Sequence, residues 1–215
     1  MLTDAHASAL GAAWQPARTA GVLGPASIEE LWEHTAGYAS AVCSAFSAGC
    51  STWNGSIIDV GTGAGVPGAL LAVQLPHAEL TLVDASERRL DHARAAVRAL
   101  DVSSRTAIVH ARADDLARDS AHRGRYDVAV ARLLADPAES LEQLAPLVRP
   151  AGIVVLSMAD ADVNRWADVQ LSDLGDPEVE ILEGARGSLV CVRIRGAAAM
   201  RYPRRVSVRR RAPLF

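Results

Sequence analysis

At 215 residues, half of them hydrophobic, the chain has room for one α/β domain with a large core plus terminal additions, and two full domains are not expected. No run of about 18 apolar residues occurs, and Met1–Leu10 has no basic stretch followed by an apolar one, so neither a membrane span nor a signal peptide is expected and the cytoplasm is the expected location. All 22 basic residues are Arg, and seven of them lie in residues 195–215 without any Asp or Glu; residues 1–194 hold 15 Arg against 25 acidic residues, so a polyanion would be repelled by the body and drawn to the tail.

The first two dozen residues are Ala-rich and broken by Gly11, Pro16, Gly21, Gly24 and Pro25, which predicts a short helix and then a loop. Ser27 with Glu30 forms a capping box, and Ile28, Leu31, Trp32, Thr35, Tyr38, Ala39, Val42 and Phe46 follow at helical spacing, so a helix packs beside whatever sheet is present. Gly37 in its middle costs about 1 kcal/mol relative to Ala; packing offsets that cost, or the residue marks a close approach. Trp32 and Tyr38 sit at core spacing, although aromatic rings can also stack on a base.

From Ser56 onward, strands alternate with amphipathic segments. Strands are expected at Ser56–Val60, Glu79–Asp84, Thr106–His110, Tyr126–Arg132 and Gly152–Met158. Helices are expected at Val66–Leu75, Ser86–Leu100, Pro137–Val148 with Pro in the first turn, and Asp162–Leu171. Val179–Glu183 and Ser188–Arg195, joined by the turn Gly184–Gly187, read as a hairpin. This order predicts a Rossmann-like α/β fold: a seven-stranded class I methyltransferase sheet, parallel except for its terminal antiparallel hairpin. Cys43, Cys50 and Cys191 lack CxxC spacing and the six His are scattered, so buried thiols are expected, with no disulfide framework and no metal ligands.

Two registers fit the glycine stretch. Gly63-Ala64-Gly65-Val66-Pro67-Gly68 matches GxGxxG, and Asp84 lies 21 residues beyond Gly63, as in an NAD site. A dehydrogenase's first glycine follows its strand directly, yet Gly61 and Thr62 intervene here after Val60. The better register is Asp59-x-Gly61-x-Gly63-x-Gly65. A carboxylate there repels a pyrophosphate and favours the sulfonium and ammonium of S-adenosylmethionine, so that methyl donor is the expected cofactor. Asp84, at the carboxyl edge of the second strand, is placed for the ribose hydroxyls, and Asp114, after the third, for an adenine amino group. The expected division is an N-terminal helical extension (1–50), a donor-binding methyltransferase domain (51–195) and a basic tail (196–215).

Asp59-Val-Gly-Thr-Gly-Ala-Gly-Val-Pro-Gly68, Thr81–Arg89, Ala111–Asp114 and Tyr126–Arg132, in this order, resemble the bacterial 16S ribosomal RNA guanine-N7 methyltransferases of the RsmG (GidB) family. Gly21–Pro25, Leu31-Trp-Glu33, Tyr202–Arg205 and Pro213-Leu214 extend the resemblance to roughly residues 22–214. The resemblance implies cofactor contacts from Gly61, Val66, Ala113, Asp114 and Arg132, and 16S ribosomal RNA in the small subunit as the partner. The chain departs from the family's pattern at His34-Thr35 with Tyr38, at Leu156–Ala159 and at Val206–Arg209.

Methyl transfer is an in-line displacement, so holding the reactants collinear is the main task and no general base is required for a ring nitrogen. Arg132 ends the fourth strand, where donor and acceptor should meet; a solvated strand-end Arg fits that position equally, and the resemblance makes it the expected catalytic residue. Tyr202, Arg204 and Arg205 are the expected substrate contacts, a stacking ring with two phosphate partners, the alternative being a solvated or disordered terminus. Three functions stay open: methylation of a guanine in 16S ribosomal RNA, methylation of a nitrogen in a small heterocyclic metabolite, and non-catalytic binding of the methyl donor.

Overall fold

Strand β1 (Ser56–Val60) is buried from Ile57 to Val60 because helices cover both of its faces, which is why it reads as an apolar run rather than an alternation. In the computed structural model, which describes residues 2–166, 171–183 and 187–215, it pairs in parallel with β2 (Glu79–Asp84) on one side and β4 (Tyr126–Ala131) on the other. With β3 (Thr106–His110), β5 (Val148–Ser157), β6 (Pro177–Leu182) and β7 (Leu189–Ile194), the sheet order is β3-β2-β1-β4-β5-β7-β6. Strand β7 runs antiparallel to both β5 and β6. This is the expected seven-stranded α/β architecture, and the order reverses direction at β1 and β4, where their carboxyl ends open a crevice.

Helices α1 (Asp4–Thr19), α2 (Ile28–Ala45), α3 (Gly68–Gln74) and α4 (Glu87–Ala99) cover one face, over Ile57, Val128, Val130, Ile153 and Val155. The short α5 (Ala113–Leu116), α6 (Pro137–Leu144) and the C-terminal segment cover the other, over Ile58, Val60, Ala129, Val154 and Leu156. The capping box expected at Ser27 and Glu30 is formed. Gly37 does mark a close approach: a Cβ there would lie 3.0 Å from Leu189 Cδ1 on β7.

Several expectations are corrected. Helix α1 runs for 16 residues through Pro16, because Leu10, Trp14 and Ala17 form a buried stripe that outweighs the lost backbone bond. In place of a helix over Asp162–Leu171 there is a 3-10 turn over Asp160–Trp166; residues 167–170 of that expected helix, and 184–186 of the expected hairpin turn, lie outside the described residues. Cys43 and Cys50 form a disulfide rather than two buried thiols: Cys43 is in the last turn of α2, and the chain folds back to bring the Cα atoms to 5.5 Å, within bridging reach. Cys191 is the buried thiol, its pKa pushed up to about 11 by burial. No helix among the described residues is long and apolar enough to cross a membrane.

The basic tail is docked on the body. Arg123 donates to the carbonyls of Ala198, Ala199 and Tyr202 at 2.8–2.9 Å, and Arg118 donates to that of Pro203 at 2.6 Å. These bonds carry the chain into α7 (Val206–Arg211).

Candidate active site

The glycine stretch leaves β1 and turns at once toward β2. The N–H groups of Gly61 and Thr62 donate to the Val83 carbonyl at 2.8 and 2.9 Å, and that of Gly63 donates to Asp84 Oδ2 at 3.0 Å. Gly61 holds φ +76°, and a Cβ there would lie 2.6 Å from Leu134 Cδ1, so both the conformation and the space demand glycine. Gly63 and Gly65 are also left-handed, at φ +57° and +92°, but Gly65 packs against Ala69 and Ala93 and so serves the approach of α3 and α4.

Asp59 is wholly buried under this turn. Its Oδ2 accepts from Thr62 Oγ1 at 2.6 Å and from the Gly68 N–H at 2.9 Å, which ties the strand to the start of α3. Among the described residues its Oδ1 has no hydrogen-bond partner. Burial raises the pKa to about 6 against the lowering effect of Thr62, Gly68 and the nearby Arg132. A buried carboxylate oxygen without a donor suits a cationic ligand group.

Asp84 is buried at the carboxyl edge, and each oxygen already accepts a backbone N–H: Gly63 on Oδ2 and Ser86 on Oδ1. It braces the glycine loop and the start of α4, and the Ser86 side chain makes no cap bond of its own. Each carboxylate oxygen keeps a second acceptor position.

Two cavities meet beside these residues. One, of about 560 Å³, is lined by Gly61, Gly63, Ala64 and Val66 of the loop, by Ala20–Gly24 between α1 and α2, and by Ser86, Arg88 and Arg89. The other, of about 350 Å³, lies between α2 and the ends of β4 and β5, lined by Leu31, His34, Ser157 and Met158. Arg132 and Leu133 line both. Among the described residues no hydrogen bond or ion pair engages the half-buried Arg132 guanidinium. Tyr38, whose hydroxyl donates to the Ala131 carbonyl at 3.1 Å, packs under this junction.

The structure therefore places Gly61, Gly63, Val66 and Arg132 on the cavity walls, with Asp59 and Asp84 buried behind the glycine loop and lining neither cavity, and leaves other expected residues away from the loop. Asp114 does not face the donor cavity: its carboxylate receives Arg209 through two 3.0 Å bonds and Gln143 through one of 3.2 Å. The cause is Arg209 itself, only 3% exposed, a charge that needs buried carboxylates and takes Glu139 as well. Ala113 begins α5 beside it and lines neither cavity.

Tyr202 and Arg204, the expected substrate contacts, pack against the body and line neither cavity. Tyr202 is 7% exposed, with the Arg201 and Arg204 guanidinium groups 5.2 and 5.9 Å from its ring centre, so it offers no face to a base. Arg204 is paired with Glu142, itself 1% exposed, through bonds of 2.7–3.1 Å. Arg205 is exposed at the start of α7 but, like the others, lines neither cavity.

Sequence reasoning missed Trp14, the Ala20–Gly24 wall, Arg88, Arg89 and Leu133. Trp14 had a signal: Leu10, Trp14 and Ala17 recur at helical spacing. Leu133 had none, because its exposure follows from a backbone conformation that no local pattern encodes.

A family model described as rRNA small subunit methyltransferase G matches residues 15–170. The ribosomal RNA small subunit methyltransferase G of Synechococcus sp. (strain RCC307) is 34% identical over 166 residues, covering 74% of this chain and 70% of that protein. The protein of the same name from Rubrobacter xylanophilus is 33% identical over 171 residues, covering 74% and 65%. Among solved structures, the cofactor-bound Rv0187 from MTB superposes with a TM-score of 0.61 at 17% identity, over 88% of this chain and 90% of that one. A SAM-dependent methyltransferase from Aquifex aeolicus gives 0.57 at 18% identity, over 84% and 98%. These likenesses carry the fold, and the match of sequence over residues 15–170 carries the family: the chain belongs to the rRNA small subunit methyltransferase G (GidB) family.

Proposed function

We propose that this protein is an S-adenosylmethionine-dependent methyltransferase that methylates a guanine N7 of 16S ribosomal RNA, working in the cytoplasm on the small ribosomal subunit or its RNA. The observation that carries the reading is the junction of two cavities at Arg132, one under the glycine loop for the donor and one beside α2 for the acceptor. The residues present fit the donor. The orphaned Asp59 Oδ1 beneath the loop supplies negative charge toward its cationic end, Gly61, Gly63, Ala64 and Val66 wall the open cavity, and Asp84 has acceptor positions left for its ribose.

When bound, S-adenosylmethionine supplies an activated methyl group on a sulfonium, open to in-line displacement. The chain contributes placement. Gly61, Gly63 and Val66 shape the donor cavity, Asp59 and Asp84 hold that shape from beneath, and Arg132 presents an uncommitted cation to both occupants. Since guanine N7 bears a lone pair and no proton, the transfer needs no general base, and the two residues shared by both cavities, Arg132 and Leu133, supply none.

Radiolabelled methyl donor incubated with small ribosomal subunits and with small-molecule extract, both from a strain lacking the gene, tests this. Label in 16S ribosomal RNA is expected. Label in small molecules alone would favour a heterocyclic metabolite as acceptor, a reading that draws on His34 and Met158, two departures from the family pattern that both line the acceptor cavity.

A further inference from the structure

Leu133 is 80% exposed, the most exposed large hydrophobic residue among those described. It also holds φ +54°, a left-handed conformation that bulky side chains rarely adopt. Its N–H donates to Ser157 Oγ at 3.3 Å, so the turn is held from the end of β5. Neither core packing nor a cap explains a leucine here; outliers of this kind collect where a site requires them.

Its location supplies the requirement. Leu133 and Arg132 form the partition shared by the donor and acceptor cavities, and Leu133 also lines a smaller hollow of about 120 Å³ with Leu134 and Met158. The acceptor cavity has apolar walls from Leu31, Leu133 and Met158, with Glu30, His34, Arg132 and Ser157 as its polar groups. Apolar walls with polar groups at their margin match a flat heterocycle, which is apolar on its faces and polar on its edge. A base stacked between neighbours has no free face to offer such a cavity.

Resting on the reading that a base in RNA is the acceptor, we infer that this base is turned out of its stack and that Leu133 packs against its face at the cavity junction. Leu133 is then a positioning residue. Its side chain holds the ring edge toward the donor and replaces part of the stacking lost on extrusion.

Leu133→Ala and Leu133→Met test this against wild type, with single-turnover methyl transfer to small ribosomal subunits, the same assay on heat-unfolded 16S ribosomal RNA, and calorimetry with S-adenosylmethionine. The Ala variant is expected to lose about tenfold or more in rate on subunits, to lose less on unfolded RNA where bases are already unstacked, and to bind the donor within about twofold of wild type. The Met variant should keep most of the rate. An Ala variant as fast as wild type on subunits overturns the inference. An equal loss on both RNAs overturns the turned-out base, and a parallel loss of donor affinity would make Leu133 a donor-cavity wall instead. Wild-type enzyme that labels no RNA defeats the functional reading itself, a result separate from RNA labelling that is indifferent to Leu133.

Discussion

Trp14 donates its indole N–H to the carbonyl of Ala64 at 2.8 Å in a buried contact between residues 50 apart in sequence. The N-terminal helix thus holds the glycine loop at Ala64, one residue beyond Gly63, whose N–H donates to Asp84. Trp14→Phe keeps most of the ring but leaves the carbonyl unpaired, which costs about 1–3 kcal/mol. Chemical denaturation should show that loss, and calorimetry should show weaker donor binding; a variant with unchanged donor affinity would mean the clamp is structural only.

Asp59 sets a pH dependence with a definite sign. Its folded pKa of about 6 lies above the ordinary 3.8, so its contribution to stability is fully present below the ordinary value and is lost as pH rises through about 6. Asp59→Asn removes that titration. The stability of wild type relative to the variant should fall between about pH 4 and 6 and be level above about 7, in urea melts of both proteins. Donor affinity of wild type should rise over the same interval as the carboxylate ionises, and that of the variant should not.

The tail arginines separate into two groups. Arg204 pairs with the buried Glu142, and truncating it leaves that carboxylate unpaired inside, at about 3–5 kcal/mol; Arg209 is the buried member of its own pairs, and its partners Asp114 and Glu139 are partly exposed, so its truncation should cost less. Arg205 and Arg210 are exposed and make no ion pair among the described residues, so Ala there should change stability by no more than about 0.5 kcal/mol. If the tail touches RNA, it does so through Arg205, Arg210 and Arg211, and their joint replacement should flatten the salt dependence of RNA binding. An unchanged salt slope would place the RNA contact elsewhere.

Gly68 opens α3 directly over Asp59. A Cβ there would meet Leu82 and lie 2.7 Å from Asp59 Oδ2, so Gly68→Ala should cost about 1–3 kcal/mol by overpacking. Thermal melts check the cost, and donor binding should weaken with it because the carboxylate beneath the loop is displaced.

The sheet was legible because β1, β2 and β4 are short apolar runs at regular intervals and the edge strand β6 alternates, both consequences of burial. The donor half of the site was legible for a similar reason: glycines and Asp59 answer to local backbone demands. The surroundings of Asp114 and Arg204 were not legible because their partners lie 29 to 95 residues away. The strand-end position of Asp114 carried no sign of Arg209, and a run of arginines reads the same whether solvated or buried against carboxylates. The Cys43–Cys50 bridge was missed for want of any spacing rule that describes a helix end folding back on itself.

The contact of Gly37 with Leu189 seats α2 on β7, at the antiparallel side of the sheet, while the donor loop hangs between β1 and β2 on the other. The helix that carries Leu31 and His34 into the acceptor cavity is also tied to α3, the helix that the donor loop opens, by Gln74 Nε2 donating to the Trp32 carbonyl at 3.0 Å. Helix α2 thus bridges the antiparallel edge and the donor loop, and a substitution that shifts it is felt on both sides of the junction.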